Sequence, residues 1–287
     1  MADEHGSRSR QAQAPPPPAF YIIPVARISS RDLLVRKGGS LRRKELGVYC
    51  YLLRHPSQGT ILIDTGYPAL TASDPSRYPG FPASMLMKIT MARGDEVSGK
   101  IQRIGIRPED VSMVLFTHLH VDHMGDTQAF SSARILVHSK EWDTAFKKGR
   151  RHGFRPDFLA PIVPETFDFP ARPAYGPFET SIDVLGDGSI VAVPTPGHTA
   201  GHVSYMVQAG EKSFFLTGDA AWVEENYTVP SRKGLFAHLL VEEDRGAQRD
   251  SLARVHSLYK SHPDVCFLSG HDGRLLNDPR LAPHIVR

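Results

Sequence analysis

Between Val114 and Asp126 the chain reads VLFTHLHVDHMGD, and His118, His120, Asp122 and His123 within it all carry metal-ligand atoms. Neutral imidazole and carboxylate suit zinc, and they also accept iron or manganese. The four residues follow an apolar run, Val111 to Phe116, that reads as a buried strand, so they fall on the turn leaving it. A turn lets neighbouring side chains converge, whereas a continued strand would send alternate ones to opposite faces. The alternative reading of this stretch, less favoured even when it is taken alone, is a solvated histidine-rich loop.

Three other segments repeat the design. VAVPTPGHTAGH ends its strand-like part on His198, with His202 four residues on, SFFLTGDAAW on Asp219, and VCFLSGHDG on His271. Glycines at 197, 218 and 270 precede these ligands directly, where a chain leaving a strand needs permissive dihedrals or close backbone approach. Four strand ends of one pattern make coincidence a poor explanation.

These ligands need strands to carry them. AFYIIPVARI opens the ordered chain, and GVYCYLLRH and TILIDTG read as a hairpin turned by HPSQG. The segment RKGGSLRRKE, 36–45, reads as an exposed basic loop. From Tyr67 to about Gly99 the pattern becomes irregular, and Met85, Leu86, Ile89 and Met91 stand at helical spacing. A long insertion after a strand is a place for lids and substrate loops. ARILVHSKEWDTAFKK gives a strand and then a helix, and DRGAQRDSLARVHSLYKSHPD a long helix with Leu252, Val255, Leu258 and Tyr259 on one face. Pattern alone gives one mixed α/β domain over 20–287, behind a proline-rich tail, 1–19, expected to be disordered.

Composition narrows the partners. The 287 residues carry 23% charged side chains and a formal net charge of +3. That balance is too mild to argue for nucleic acid or a membrane surface. No apolar run approaches the ~20 residues needed to span a bilayer, and MADEHGSRSRQAQAPPPPAF has no secretory apolar core, so a cytoplasmic location is expected. Cys50 and Cys266 read as free buried thiols.

THLHVDH, followed in order by PGHTAGH, TGDAAW and SGHDG, resembles the metallo-β-lactamase superfamily over about residues 20–287. The resemblance implies a four-layer αβ/βα sandwich, two facing mixed sheets with outer helices and a site along one edge. It implies two divalent ions, zinc in the first instance with iron or manganese as alternatives. His118, His120 and His198 would hold one, Asp122, His123 and His271 the other, and Asp219 would bridge them, with Asp64 structural and His202 a support. Ions ~3.5–4 Å apart can hold and activate one hydroxide between them, which makes a hydrolase of ester bonds. The second metal, or Asp122 relaying a proton, would assist the leaving oxygen. Histidines 138, 152, 238, 256 and 262 match no constellation, and Asp126 reads as a turn or support residue.

Within the superfamily, ILIDTGYP and TGDAAWVEENY are similar to the N-acyl-homoserine lactonases of the quorum-quenching branch. That likeness implies a small lactone substrate, with the apolar 67–99 insertion (Tyr78, Phe81, Met85, Leu86, Met87) as a wall for an acyl chain. One departure stands out. Those lactonases carry a tyrosine three residues after the bridging aspartate, and here the position is Trp222, which can donate a hydrogen bond but cannot exchange a proton. Trp222 then shapes the pocket, or Tyr227 substitutes, or the substrate is another ester. The alternative is a glyoxalase-II-like thioesterase, with Lys147, Lys148, Arg150 and Arg151 as an anion-binding patch. A homodimer is compatible with either reading.

Overall fold

The computed structural model describes residues 19–78, 83–171, 173–229, 233–234 and 242–286. The tail up to Pro18, and the expectations for Phe81 and His238, lie outside the described residues. Strand β1 (Ala19–Arg31) pairs antiparallel with β2 (Arg43–His55), which turns through 56–58 into β3 (Gly59–Ile63). The first sheet continues with parallel strands β5 (Val111–Leu115), β6 (Arg134–His138) and β7 (Glu165–Phe167), and β4 (Met87–Thr90) closes its other edge against β1. Its order is β4-β1-β2-β3-β5-β6-β7.

The second sheet holds β8 (Ile182–Asp183), β9 (Ile190–Pro194), β10 (Val203–Ala209), β11 (Lys212–Leu216) and β12 (Cys266–Leu268), in the order β12-β11-β10-β9-β8. Strand alternation sends one set of side chains between the sheets. Phe20, Tyr51, Ile61, Ile63 and Leu115 there meet Val203, Tyr205, Phe214 and Leu216. The opposite set, among them Val48, Leu52, Leu62 and Val114, packs against Val97 and Ile101 of the helix Val97–Arg103 and against Val121 and Met124. Val191, Val193 and Phe215 pack on Leu252, Val255 and Leu258 of the helix Arg245–Ser261, the face its spacing predicts. The result is the expected sandwich, helix, sheet, sheet, helix.

Two local expectations change. Where the sequence spacing predicts a helix, the insertion forms one helical turn, Ala83–Leu86, and then the edge strand β4. Met85 is 75% exposed and Leu86 38%, while Ile89 is buried between exposed Lys88 and Thr90. Pairing with β1 thus overrides the helical spacing, because Ile89 gains a core position by alternation. The basic segment is exposed over 37–42, but Arg43–Glu45 already belong to β2, and Arg36 and Lys44 pair with Asp32. Cys50 and Cys266 are free, the first buried and the second half-buried. Among the described residues no helix is long and apolar enough to cross a membrane.

Candidate metal centre

Strands β3, β5, β9, β11 and β12 all end at one edge of the sandwich, and each delivers polar residues there. The turn after β5 is held in shape by Asp64, at the end of β3. Asp64 accepts from the Thr117 backbone and hydroxyl and contacts His123 Nδ1, each at 2.8 Å. It is the described non-glycine residue with positive φ, 61°. Such a conformation costs on the order of 1–3 kcal/mol and persists only where surrounding contacts hold it. Across the sheets, Thr117 O accepts from Val203 N and Phe116 O from the Tyr205 hydroxyl, both at 2.8 Å, so this turn is tied to β10.

The glycines that precede the later ligands have definite reasons. Gly197 has φ 134° and Gly218 φ 49°, both in the region that favours glycine. Gly270 does not, but a Cβ there would sit 2.6 Å from Gly218 O and 2.7 Å from Asp219 Oδ1, so it permits close approach of the two ligand turns.

The structure brings all seven candidate ligands together. His118, His120 and His198 form one group with ligand atoms within 4.8 Å of one another, and Asp122, His123 and His271 form another. Asp219 stands between them. Its Oδ2 is 3.1 Å from His198 Nε2, and its Oδ1 is 3.1 Å from His271 Nε2 and 3.4 Å from His123 Nε2. Asp122 Oδ2 lies 3.6 Å from His271 Nε2 and 3.8 Å from His123 Nε2.

Electrostatics separates the two groups. Burial, then His123 and His120, holds His118 well below its usual pKa; burial and Lys233 do the same to His198, and burial pushes His120 down to about 4. These rings are neutral and their lone pairs are free for a metal. Burial also opposes charge on His123 and His271, but Asp64, Asp122 and Asp219 outweigh it at His123, and Asp219 and Asp122 at His271, so both are raised. Burial disfavours charge on Asp219, yet His271, His198 and His123 hold its carboxyl well below the ordinary range.

The donor set fits a metal. His123 Nε2 and Asp219 Oδ1 are buried without a hydrogen-bond partner among the described residues, a costly arrangement unless a cation lies between them. Imidazole and carboxylate in this number suit zinc, and an Asp sharing its two oxygens suits a pair of ions.

Around these ligands stand residues of other kinds. His202 accepts from Asp219 N through Nε2 (2.9 Å) and contacts Thr195 Oγ1 through Nδ1 (2.8 Å), so it touches the backbone of a candidate ligand. Trp222 Nε1 donates to Asp219 Oδ2 at 2.7 Å. Tyr227 is placed elsewhere: its ring packs on Tyr259 and Phe267 beneath the second sheet. Asp126 accepts from Ser98 N at the start of the helix Val97–Arg103. His138, His152, His256 and His262 each contact a backbone carbonyl.

Two participants carried no sequence signal. Glu141, buried in the first turn of the helix Ser139–Lys148, accepts from Leu119 N (2.9 Å) and Gly201 N (3.1 Å). One carboxylate thereby joins the turn holding His118 and His120 to the turn holding His198. Burial pushes its pKa up to about 7. Lys233 is buried beside His198 and Asp219, in a stretch with no readable pattern.

The profile of the Metallo-beta-lactamase superfamily matches residues 43–271, most of the chain and every ligand position above. The chain belongs to that superfamily. Among relatives of this metallo-β-lactamase-fold protein, an N-acyl homoserine lactonase of Bacillus cereus is 29% identical over 214 residues, 72% of this chain and 78% of that protein. N-acyl homoserine lactonase AiiA of Bacillus thuringiensis subsp. kurstaki is 27% identical over 274 residues, 93% of this chain and 98% of that one. A solved structure of an N-acyl homoserine lactone hydrolase, with the product N-hexanoyl-L-homoserine at its catalytic metal centre, has TM-score 0.76 at 23% identity. That likeness covers 94% of this chain and 99% of the other, and it shows the shared fold.

Proposed function

We propose that this protein is a metal-dependent hydrolase that opens a lactone ester, an N-acyl-homoserine lactone or a related ring, using two divalent ions, zinc before iron or manganese. The observation that carries the reading is Asp219, whose two oxygens each face a different histidine group. Ions held there would supply an activated water and neutralise charge developing on the ester. His118, His120 and His198 would hold the first, Asp122, His123 and His271 the second, and Asp219 would be shared. Water adds across the ring ester, the acyl C–O bond breaks, and a ring-opened hydroxy acid leaves.

Among the candidate ligands Asp122 is the most open, with a side chain 18% exposed against 5% or less for His123, His271, His198 and Asp219. We therefore assign it delivery of a proton to the departing alkoxide. Trp222 commits its single N–H to Asp219, so its part is to wall the site and steady that carboxylate. Tyr227, turned into the core, receives no part. We assign the acyl chain to the insertion, where Met85 and Leu86, with Leu33, Leu34, Arg31 and Arg43, line a hollow of about 330 Å³.

The lactone is favoured by the names of the relatives. Against the thioesterase alternative, Lys148 pairs with Glu243 at 3.1 Å and Arg150 with Asp157 at 3.0 Å, which leaves less free positive charge for an anionic thiol. The test is a panel of acyl-homoserine lactones, simple lactones, S-lactoylglutathione and a phosphodiester, assayed with the zinc-loaded protein. A lactone is expected to give the highest kcat/KM. A thioester or phosphodiester ahead of every lactone by orders of magnitude refutes the assignment.

A further inference from the structure

The ligand histidines differ in what stands behind them. His118 Nδ1 contacts Thr117 Oγ1 at 3.1 Å, His123 Nδ1 contacts Asp64 Oδ2 at 2.8 Å, and His271 Nδ1 contacts Gly47 O at 2.8 Å. His120 turns its Nδ1 inward, 3.2 Å from His118 Nε2, and lays its ring 4.7 Å from that of Phe154. His198 is backed by nitrogen. Its Nε2 faces the cluster, 3.0 Å from His120 Nδ1, and its Nδ1 lies 3.2 Å from the Lys233 amine.

That amine is firmly held. Lys233 is 1% exposed, and its Nζ donates to the Asp219 carbonyl at 2.6 Å. It also stands 4.6 Å from the centre of the Trp222 ring and 3.9 Å from Glu242 Oε1. Trp222 in turn donates to Asp219 Oδ2, so lysine, indole, aspartate and histidine form one packed unit.

Oxygen behind a ligand imidazole accepts its rear N–H and makes the ring a better donor. A lysine ammonium has three donors and no acceptor, so it opposes that N–H and places positive charge beside the metal position. The other group has the reverse surroundings, with Asp64 behind His123 and Asp122 among the ligands themselves. We propose that Lys233 detunes His198, so that the His118, His120 and His198 group becomes the weaker and more readily exchanged of the two metal sites. The inference rests on the dinuclear reading of the cluster, but not on the lactone.

The whole protein, stripped of metal, is titrated with zinc against a chromophoric chelator, and its two binding steps are compared with those of three variants. Lys233→Met keeps the aliphatic stem without the charge, Lys233→Gln offers an oxygen to the His198 N–H, and Lys233→Arg keeps a cation. Met and Gln are expected to tighten the weaker step about 10- to 100-fold and to leave the tighter step unchanged, the range over which partners of metal ligands act. Arg is expected to leave both steps near the wild-type values. His118→Ala should abolish the same step that Met and Gln move. In a Trp142→Phe background, Trp222 emission of the metal-free protein should also change with Lys233→Met, as the cation leaves the ring.

Thermal melts followed by circular dichroism identify any variant that does not fold, and Gln carries the test if Met fails. A weaker step left unchanged or loosened in a folded Met or Gln variant overturns the proposal. So does tightening confined to the other step, or a wild-type protein that takes a single zinc. Turnover is read nowhere in this titration, so a wrong substrate assignment leaves its outcome intact.

Discussion

Around His118, His120 and His198 the charge that backs the ligands is the Lys233 amine, whereas around His123 and His271 it is carboxylate, from Asp64 and Asp122. The first group consists of neutral rings lowered by burial, and the second of rings whose acidic neighbours raise them. Both face Asp219. The contrast shows how one fold edge can build two unlike sites from nearly the same ligand types, through what stands behind each ligand rather than through the ligand itself.

The most damaging change removes the shared element. Asp219→Ala should cost metal and activity together, with kcat/KM down by about a thousandfold or more, because both groups lose a ligand. A variant that keeps two equivalents of metal and full turnover would take Asp219 out of the bridging place. Next comes Glu141→Gln, which swaps one acceptor for a donor facing Leu119 N or Gly201 N. Zinc affinity at the first group should fall about 10- to 100-fold by chelator competition while the second group holds. Equal loss at both would show that Glu141 supports the edge as a whole.

A smaller effect is expected at Trp222, whose N–H meets the Asp219 oxygen nearer His198. Trp222→Phe should lower kcat by no more than about tenfold, since one hydrogen bond to a carboxylate is lost. A drop of about 10²–10³ would instead mark the indole as a donor to the reacting ester.

The smallest effect lies near the second group, at Asp126, three residues past His123. Burial pushes this carboxyl up to about 6 from 3.8. A folded pKa above the unfolded one gives stability that is complete below about 3.8 and lost as pH rises through about 6. Asn, neutral throughout, avoids that loss. Asp126→Asn should therefore match wild type near pH 3.5 and exceed it by at most about 3 kcal/mol at pH 8 in urea unfolding. No gain at pH 8 would mean that the bond to Ser98 N outweighs the cost of burying charge.

Much of this site was legible because its ligands are short-range features. Polar residues directly after an apolar run mark a strand end, three of the four ends with a glycine just before the ligand, and together they announced His118 to His123, His198, Asp219 and His271 from sequence. The two facing sheets followed from the family resemblance, but the order of strands within them came only from the structure, since periodicity gives element type and not which neighbour a strand chooses. Met85, Leu86 and Ile89 misled for a related reason. Their spacing matched a helix, but the free edge of β1 offered β4 its hydrogen bonds, and that tertiary pairing prevailed. Glu141 and Lys233 left no trace, because each acts across 14 or more residues of chain on backbone groups or a ring nitrogen, with no local pattern to betray it. Tyr227 shows the converse: its proximity in sequence to Trp222 suggested a part in the site, and its apolar ring took it into the core.

The central claim, two unlike metal sites sharing one aspartate, is tested most directly by anomalous diffraction from crystals of the zinc-loaded protein at the zinc edge. Two peaks about 3.5–4 Å apart are predicted, with one Asp219 oxygen at about 2.0–2.2 Å from each. A single peak, or two peaks with Asp219 out of reach of either, would contradict it.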